Sequence, residues 1–165
     1  LISPMIVPLI ITAAGMFFFY ARINLVYTFT GVILAHVALA TPFVVITVTA
    51  TLVGFDMNMV KAAQSLGAKP MRTFFKVIMP LILPGIISGA LFAFITSFDE
   101  VVIVMFMASI DQLTIPKQMW AGIRQEISPV ILCMATCLVL LSIFLLTTVE
   151  LLRRRSEKLR GIKAR

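Results

Sequence analysis

The chain has 165 residues, of which 61% are hydrophobic and 13% charged, with a mean hydropathy of +1.09. That is more apolar surface than one domain of this length can hide in a core, which argues against a soluble globular protein and makes lipid the expected solvent. The formal net charge of +7 would suit nucleic acid in a soluble protein, but the basic residues fall between and after apolar runs, which favours a membrane.

Four stretches approach or exceed the roughly 20 apolar residues that a spanning helix needs: 5–20, 28–53, 81–107 and 129–152. The first is slightly short. The chain opens on Leu1-Ile-Ser-Pro without methionine or a signal-peptide pattern, so the first span is expected to extend into a preceding segment, with the chain as the C-terminal part of a longer protein. Helices are expected rather than strands, because an open sheet cannot satisfy its backbone in hydrocarbon and no alternating barrel segments are present. The fold class is therefore an all-α polytopic transmembrane bundle. Pro8 and Pro42 fall inside spans, where membrane helices kink rather than break.

Between spans two and three, residues 54–80 are too patterned for a passive turn. Asp56 or Asn58 can cap a helix over 59–66, and Gly67 stands where a left-handed terminating residue is favoured. Pro70 suits the first turn of a second helix running to about Ile78, before Pro80. Ala62, Ala63 and Gly67 present small side chains to a close-approaching partner, while Phe74, Phe75, Val77 and Ile78 are expected to anchor the second helix against the spans. The residues alone leave open a second reading, an amphipathic helix lying on lipid.

Asp99 and Glu100 are adjacent carboxylates in the third apolar run. Such groups are costly in hydrocarbon and are expected to face protein or a water-filled path. One can line a path while the other pairs with a basic group or caps a break. Alternatively both lie near the outer interface, paired with Lys117, Arg124 or another chain. His36 in span two is expected to be a packed or interhelical hydrogen-bonding residue rather than a proton relay. Met105, Met107 and Met119 are read as lipid-facing or gap-filling residues, Trp120 as an interface anchor, and 114–124 as a short outer helix touching a binding protein. Cys133 and Cys137 lie four apart in an apolar run without metal-ligand spacing and are read as packing residues.

Orientation follows from Lys and Arg, which favour cytoplasmic loops. Lys61, Lys69, Arg72 and Lys76 lie in the loop after span two, and Arg153, Arg154, Arg155, Lys158, Arg160, Lys163 and Arg165 form the tail 153–165. Both are expected to be cytoplasmic. The remaining connections hold only Arg22, Lys117 and Arg124. The tail follows a span directly and lacks interleaved aromatics, so it reads as a stop-transfer segment near anionic lipid rather than a nucleic-acid arm.

Ala62-Ala63-x-x-x-Gly67-Ala68, followed by Phe75, Val77, Pro80 and Pro84-Gly85-Ile86, resembles the cytoplasmic EAA loop of the type I permeases of binding-protein-dependent ABC importers. Lys61 stands where that family usually has the glutamate that names the motif, which reverses a charge at the docking surface and leaves the small-residue face intact. Ser97-Phe98-Asp99-Glu100-Val101-Val102, with Leu34-Ala35-His36 and Thr41-Pro42-Phe43-Val44, is similar to the spermidine/putrescine subgroup.

The resemblance implies a permease subunit in the bacterial inner membrane. Its loop residues Lys61, Ala62, Ala63, Gly67, Ala68 and Pro80 would couple to a separate ATP-binding subunit dimer, beside a second permease subunit and a periplasmic substrate-binding protein. Asp99 and Glu100 would lie near the translocation path for polyamines. Importers for phosphonates or iron are close relatives. No catalytic set, metal cluster, phosphate loop or cofactor motif is seen, so the chain is not expected to be an enzyme. The competing class is a stand-alone ion-coupled secondary transporter or channel, which leaves the loop pattern unexplained. A membrane-anchored interaction protein would tolerate loss of both carboxylates.

Overall fold

The computed structural model describes residues 3–125 and 128–159. Among them the regular elements are helices: α1 (Ser3–Ile6), α2 (Leu9–Arg22), α3 (Phe29–Val53), α4 (Asn58–Ser65), α5 (Pro70–Thr73), a π-helical turn (Phe74–Ile78), α6 (Met79–Phe98), α7 (Val102–Met107), α8 (Ile115–Gln125) and α9 (Pro129–Leu159). Among the described residues, three continuous helical stretches are long and apolar enough to cross a membrane: Phe29–Val53, Pro70–Phe98 and Pro129–Thr148. The tail residues Arg160, Lys163 and Arg165 lie outside the described residues.

Three expected boundaries move. The run 5–20 is not one helix, because Pro8 stands between α1 and α2 as the residue before Leu9; its ring breaks the helix rather than kinking it. The 14-residue α2 rises about 21 Å, short of the roughly 30 Å hydrocarbon layer. The run 81–107 is broken between Phe98 and Val102, where Asp99 to Val101 leave helical geometry.

The third change is at Pro80. The second loop helix does not stop there but runs through the π turn into α6. Proline in an ordinary helix clashes with the carbonyl four residues back. The wider π turn, marked by the Met79 N–H bonding Phe74 O, relieves the crowding before Pro80. Pro42, by contrast, sits buried within an unbroken α3.

Span α3 packs lengthwise and antiparallel on α6. A Cβ at Gly85 would overlap Thr51 Oγ1, and one at Gly89 would overlap Thr47 Oγ1 and meet Val44. Only glycine lets the two backbones approach this closely, the small-residue contact typical of membrane helix pairs. Thr47 and Thr51 turn their hydroxyls back to Phe43 O and Thr47 O, both 2.9 Å, so neither leaves a polar demand at the seam. Further along, Phe43 and Phe92 stack with ring centroids 6.5 Å apart.

The buried centre lies where α2, α3 and α7 meet, around Ala13, Tyr20, Ala35, Leu39, Ile103 and Met107. Met107 is thus a core residue, while Met105 is exposed. The turn before α3 is tied to this centre: Tyr27, at φ 61°, donates its N–H to Met107 O at 2.9 Å and its carbonyl accepts from Gln112 Nε2 at 3.2 Å. These bonds hold a backbone conformation that a bulky residue rarely adopts. Cys133 and Cys137 are free and exposed on α9, so they face outward rather than packing within the chain. Nearby Leu140 and Phe144 are exposed too, as expected of a helix whose surroundings are lipid or other helices.

Candidate functional site

The loop residues sit at one end of the α3/α6 pair. Asp56 Oδ1 accepts the Asn58 N–H at 2.9 Å and so caps the start of α4. At the other end Gly67 has φ 77°, its N–H bonds Gln64 O at 2.9 Å, and the Ala68 N–H bonds Ala63 O at 3.0 Å. That is the paired closure of a Schellman motif, which needs a left-handed residue. Pro70 then occupies the first turn of α5.

The resulting corner is exposed. Lys61, Ala62 and Gly67 are open to solvent, Ala63 and Ala68 half-buried, and Leu66 is 88% exposed. Met57, Met59 and Met71 are exposed around it, giving a small-residue face rimmed by flexible apolar side chains. Phe74 and Phe75 do not anchor the second helix as expected. Phe75 is 58% exposed, and Thr73, at 2%, is the buried residue of this segment. The sequence reading missed Thr73, since a threonine between Arg72 and Phe74 carries no periodic signal of its own.

The carboxylates lie at the far end of α6, about 30 Å from the loop by helical rise. The structure separates their roles. Glu100 is 5% exposed, and its two oxygens accept the N–H groups of Ile103 at 2.9 Å and Val104 at 3.1 Å. It satisfies the open amides at the start of α7, with its negative charge on the positive end of the helix. Asp99 is exposed, its carboxylate makes no hydrogen bond or ion pair with another described residue, and it borders an apolar cavity of about 510 Å³ with Phe94, Phe98, Met119, Trp120 and Ser142.

Neither carboxylate pairs with Lys117. Its ammonium reaches over the other end of α7 to Val104 O at 3.5 Å and Ala108 O at 3.4 Å. His36 meets the expectation of an interhelical bond, with Nδ1 2.8 Å from Ser97 Oγ. The close-contact pair Gly85 and Gly89 was missed, although its four-residue spacing on an apolar helix was a usable signal. Among the described residues no group of His, Cys, Asp or Glu gathers at metal-holding distance.

An exposed small-residue loop, a buried carboxylate and apolar helices of membrane length together describe a membrane chain. The family model for the inner membrane component of binding-protein-dependent transport systems matches residues 1–158. The chain belongs to that family.

Among relatives of this inner membrane component, the spermidine/putrescine transport system permease protein PotC of Haemophilus influenzae is 30% identical over 153 residues, covering 93% of this chain and 60% of that protein. PotC of Escherichia coli K12 is 29% identical over 154 residues, covering 93% and 58%. The putrescine transport system permease protein PotI of the same organism is 37% identical over 103 residues, covering 62% and 37%. The chain spans about three fifths of the length of these PotC relatives. As a member of an inner membrane component family with three membrane-length helices, it is a multi-pass membrane protein.

Proposed function

We propose that the chain is the permease part of an ATP-driven importer for polyamines, and is not itself an enzyme. The observation that carries the reading is the exposed Gly67 corner, set directly between two membrane helices that pack without a gap at Gly85 and Gly89. A push on this loop is delivered to a stiff helix pair. The permease names of PotC and PotI support the solute class.

In this reading loop 54–80 faces the cytoplasm and seats in a separate ATP-binding subunit through Ala62, Ala63, Gly67 and Ala68, with Lys61 at the rim. The contact of Lys61 differs from a glutamate's, because it brings a cation to the docking surface. Pro80 marks the joint to α6. The C-terminal basic segment is cytoplasmic too. A second permease subunit completes the path, and α8 on the opposite side meets a periplasmic substrate-binding protein. Closure of the ATP-binding subunits moves the loop, and the α3/α6 pair rocks the path between its two openings.

Asp99 supplies the negative charge that favours an organic cation along this path. Glu100 acts at one remove, because its oxygens are engaged by the amides of α7. The test is ATP-driven uptake of radiolabelled spermidine and putrescine by the complete complex in proteoliposomes. Asp99→Asn should lower uptake at least tenfold while the complex purifies at the parent's yield. Unchanged uptake with Asp99→Asn would remove the carboxylate from the path.

A further inference from the structure

A second cavity of about 510 Å³ lies between α3, α6 and α8 and shares Phe94 and Phe98 with the cavity that Asp99 borders; Val32, Ile33, Val37 and Pro116 are among its apolar lining, and His36 and Ser97 also border it. His36 uses Nδ1 on Ser97 Oγ at 2.8 Å. Its Nε2 has no partner among the described residues. An imidazole nitrogen left unmatched in an apolar membrane segment is costly unless a polar occupant meets it.

Two cavities therefore share one aromatic wall. Phe94 and Phe98, with ring centroids 5.4 Å apart and planes inclined by 23°, border both. The unpaired Asp99 belongs to the lining of one cavity, and His36, with its free Nε2, to that of the other.

Resting on the polyamine reading above, we infer that His36, positioned by Ser97, is a second binding point in the path, taking one ammonium end of an aliphatic di- or polyamine whose other end is held by Asp99. With the proton on Nδ1 and donated to Ser97 Oγ, Nε2 presents a lone pair to the cavity, and an ammonium is a donor without acceptor capacity. The binding of a cation selects that tautomer. The methylene chain crosses the Phe94 and Phe98 rings, whose faces attract the flanking positive charges. A solute with a single charge satisfies one of the two points, so the arrangement favours two ammonium groups joined by a flexible apolar chain.

The test separates the two nitrogens. Asparagine at position 36 places its amide near Nδ1 and keeps the bond to Ser97, whereas glutamine reaches the position of Nε2. The complete complex in proteoliposomes, with saturating loaded binding protein, is assayed for spermidine uptake and for ATP hydrolysis. His36→Asn should lower spermidine taken up per ATP hydrolysed about tenfold, the scale of one lost charge-assisted hydrogen bond. His36→Gln should stay within about twofold of the parent, and both should purify at the parent's yield.

His36→Asn transporting like the parent would overturn the inference. So would Asn and Gln variants that lose uptake, hydrolysis and yield together, because His36 would then only hold α3 to α6. A parent complex that hydrolyses ATP but imports no polyamine removes the reading beneath the inference, a result distinct from either variant outcome.

Discussion

Glu100 and Lys117 hold opposite ends of the same six-residue helix. The carboxylate accepts the Ile103 and Val104 N–H groups, and the ammonium reaches the Val104 and Ala108 carbonyls. Each charge is opposite in sign to the helix end it meets. The two groups satisfy α7 without pairing with one another, and Ile103, Val104 and Met107 are fully buried between them. A break in a membrane helix exposes backbone groups that must find partners, and here two charged side chains provide them.

Glu100→Ala should therefore destabilise the chain by about 3 kcal/mol, because two buried amides lose their acceptor. Glu100→Gln keeps one good acceptor oxygen and should cost about 1 kcal/mol. Thermal unfolding of the complex in detergent measures both. Equal melting temperatures for the parent and Glu100→Ala would mean that the cap carries no weight.

Lys117→Met should cost less, about 1 kcal/mol, since its bonds at 3.4–3.5 Å are long and an apolar stem of similar length is retained. The same melting experiment applies. A loss larger than that of Glu100→Ala would reverse the ranking argued from geometry.

Gly89→Leu should weaken the α3/α6 seam more than Gly122→Leu weakens the α8/α9 contact. At Gly89 a Cβ meets Thr47 Oγ1 and the Val44 backbone, whereas at Gly122 it meets the end of the Ile131 side chain at 2.7 Å. Overpacking against backbone costs about 1–3 kcal/mol or more, while a flexible tip moves aside. Melting temperatures of the two variants decide it, and a lower value for Gly122→Leu contradicts the account.

Much of this architecture was legible in the sequence because its causes are local. Gly67 followed eight helix-forming residues, and its left-handed φ and paired closing bonds are what that position predicts. Thr28 to Val53 was one uninterrupted apolar run and is one helix. His36, a lone polar ring in an apolar span, found a hydroxyl on a neighbouring helix.

The misreadings arose where tertiary structure outweighed pattern. Hydropathy sees Leu81 to Met107 as continuous, because Asp99 and Glu100 are too few to lower the average. The break there is stabilised by Lys117, brought in from beyond the end of α7. The two carboxylates, one position apart in sequence, separated into a buried cap and an exposed side chain because a chain turning out of a helix points successive residues in different directions. Pro80 read as a stop, but the π turn ahead of it is a backbone adjustment with no residue signature. Pro8 failed in the other direction, since it separates α1 from α2 instead of kinking one continuous helix.

The measurement that tests the central claim most directly compares the parent with Gly67→Asp in the complete complex, scoring spermidine uptake and retention of the ATP-binding subunit together. Asp at φ 77° strains the corner by about 1 kcal/mol, too little to unfold the helices, and puts a charge on the small-residue face. The account predicts that uptake is abolished and the ATP-binding subunit is lost from a permease that still purifies folded. Full uptake with the ATP-binding subunit retained would contradict it, and the loop would then be only a connection between two membrane helices.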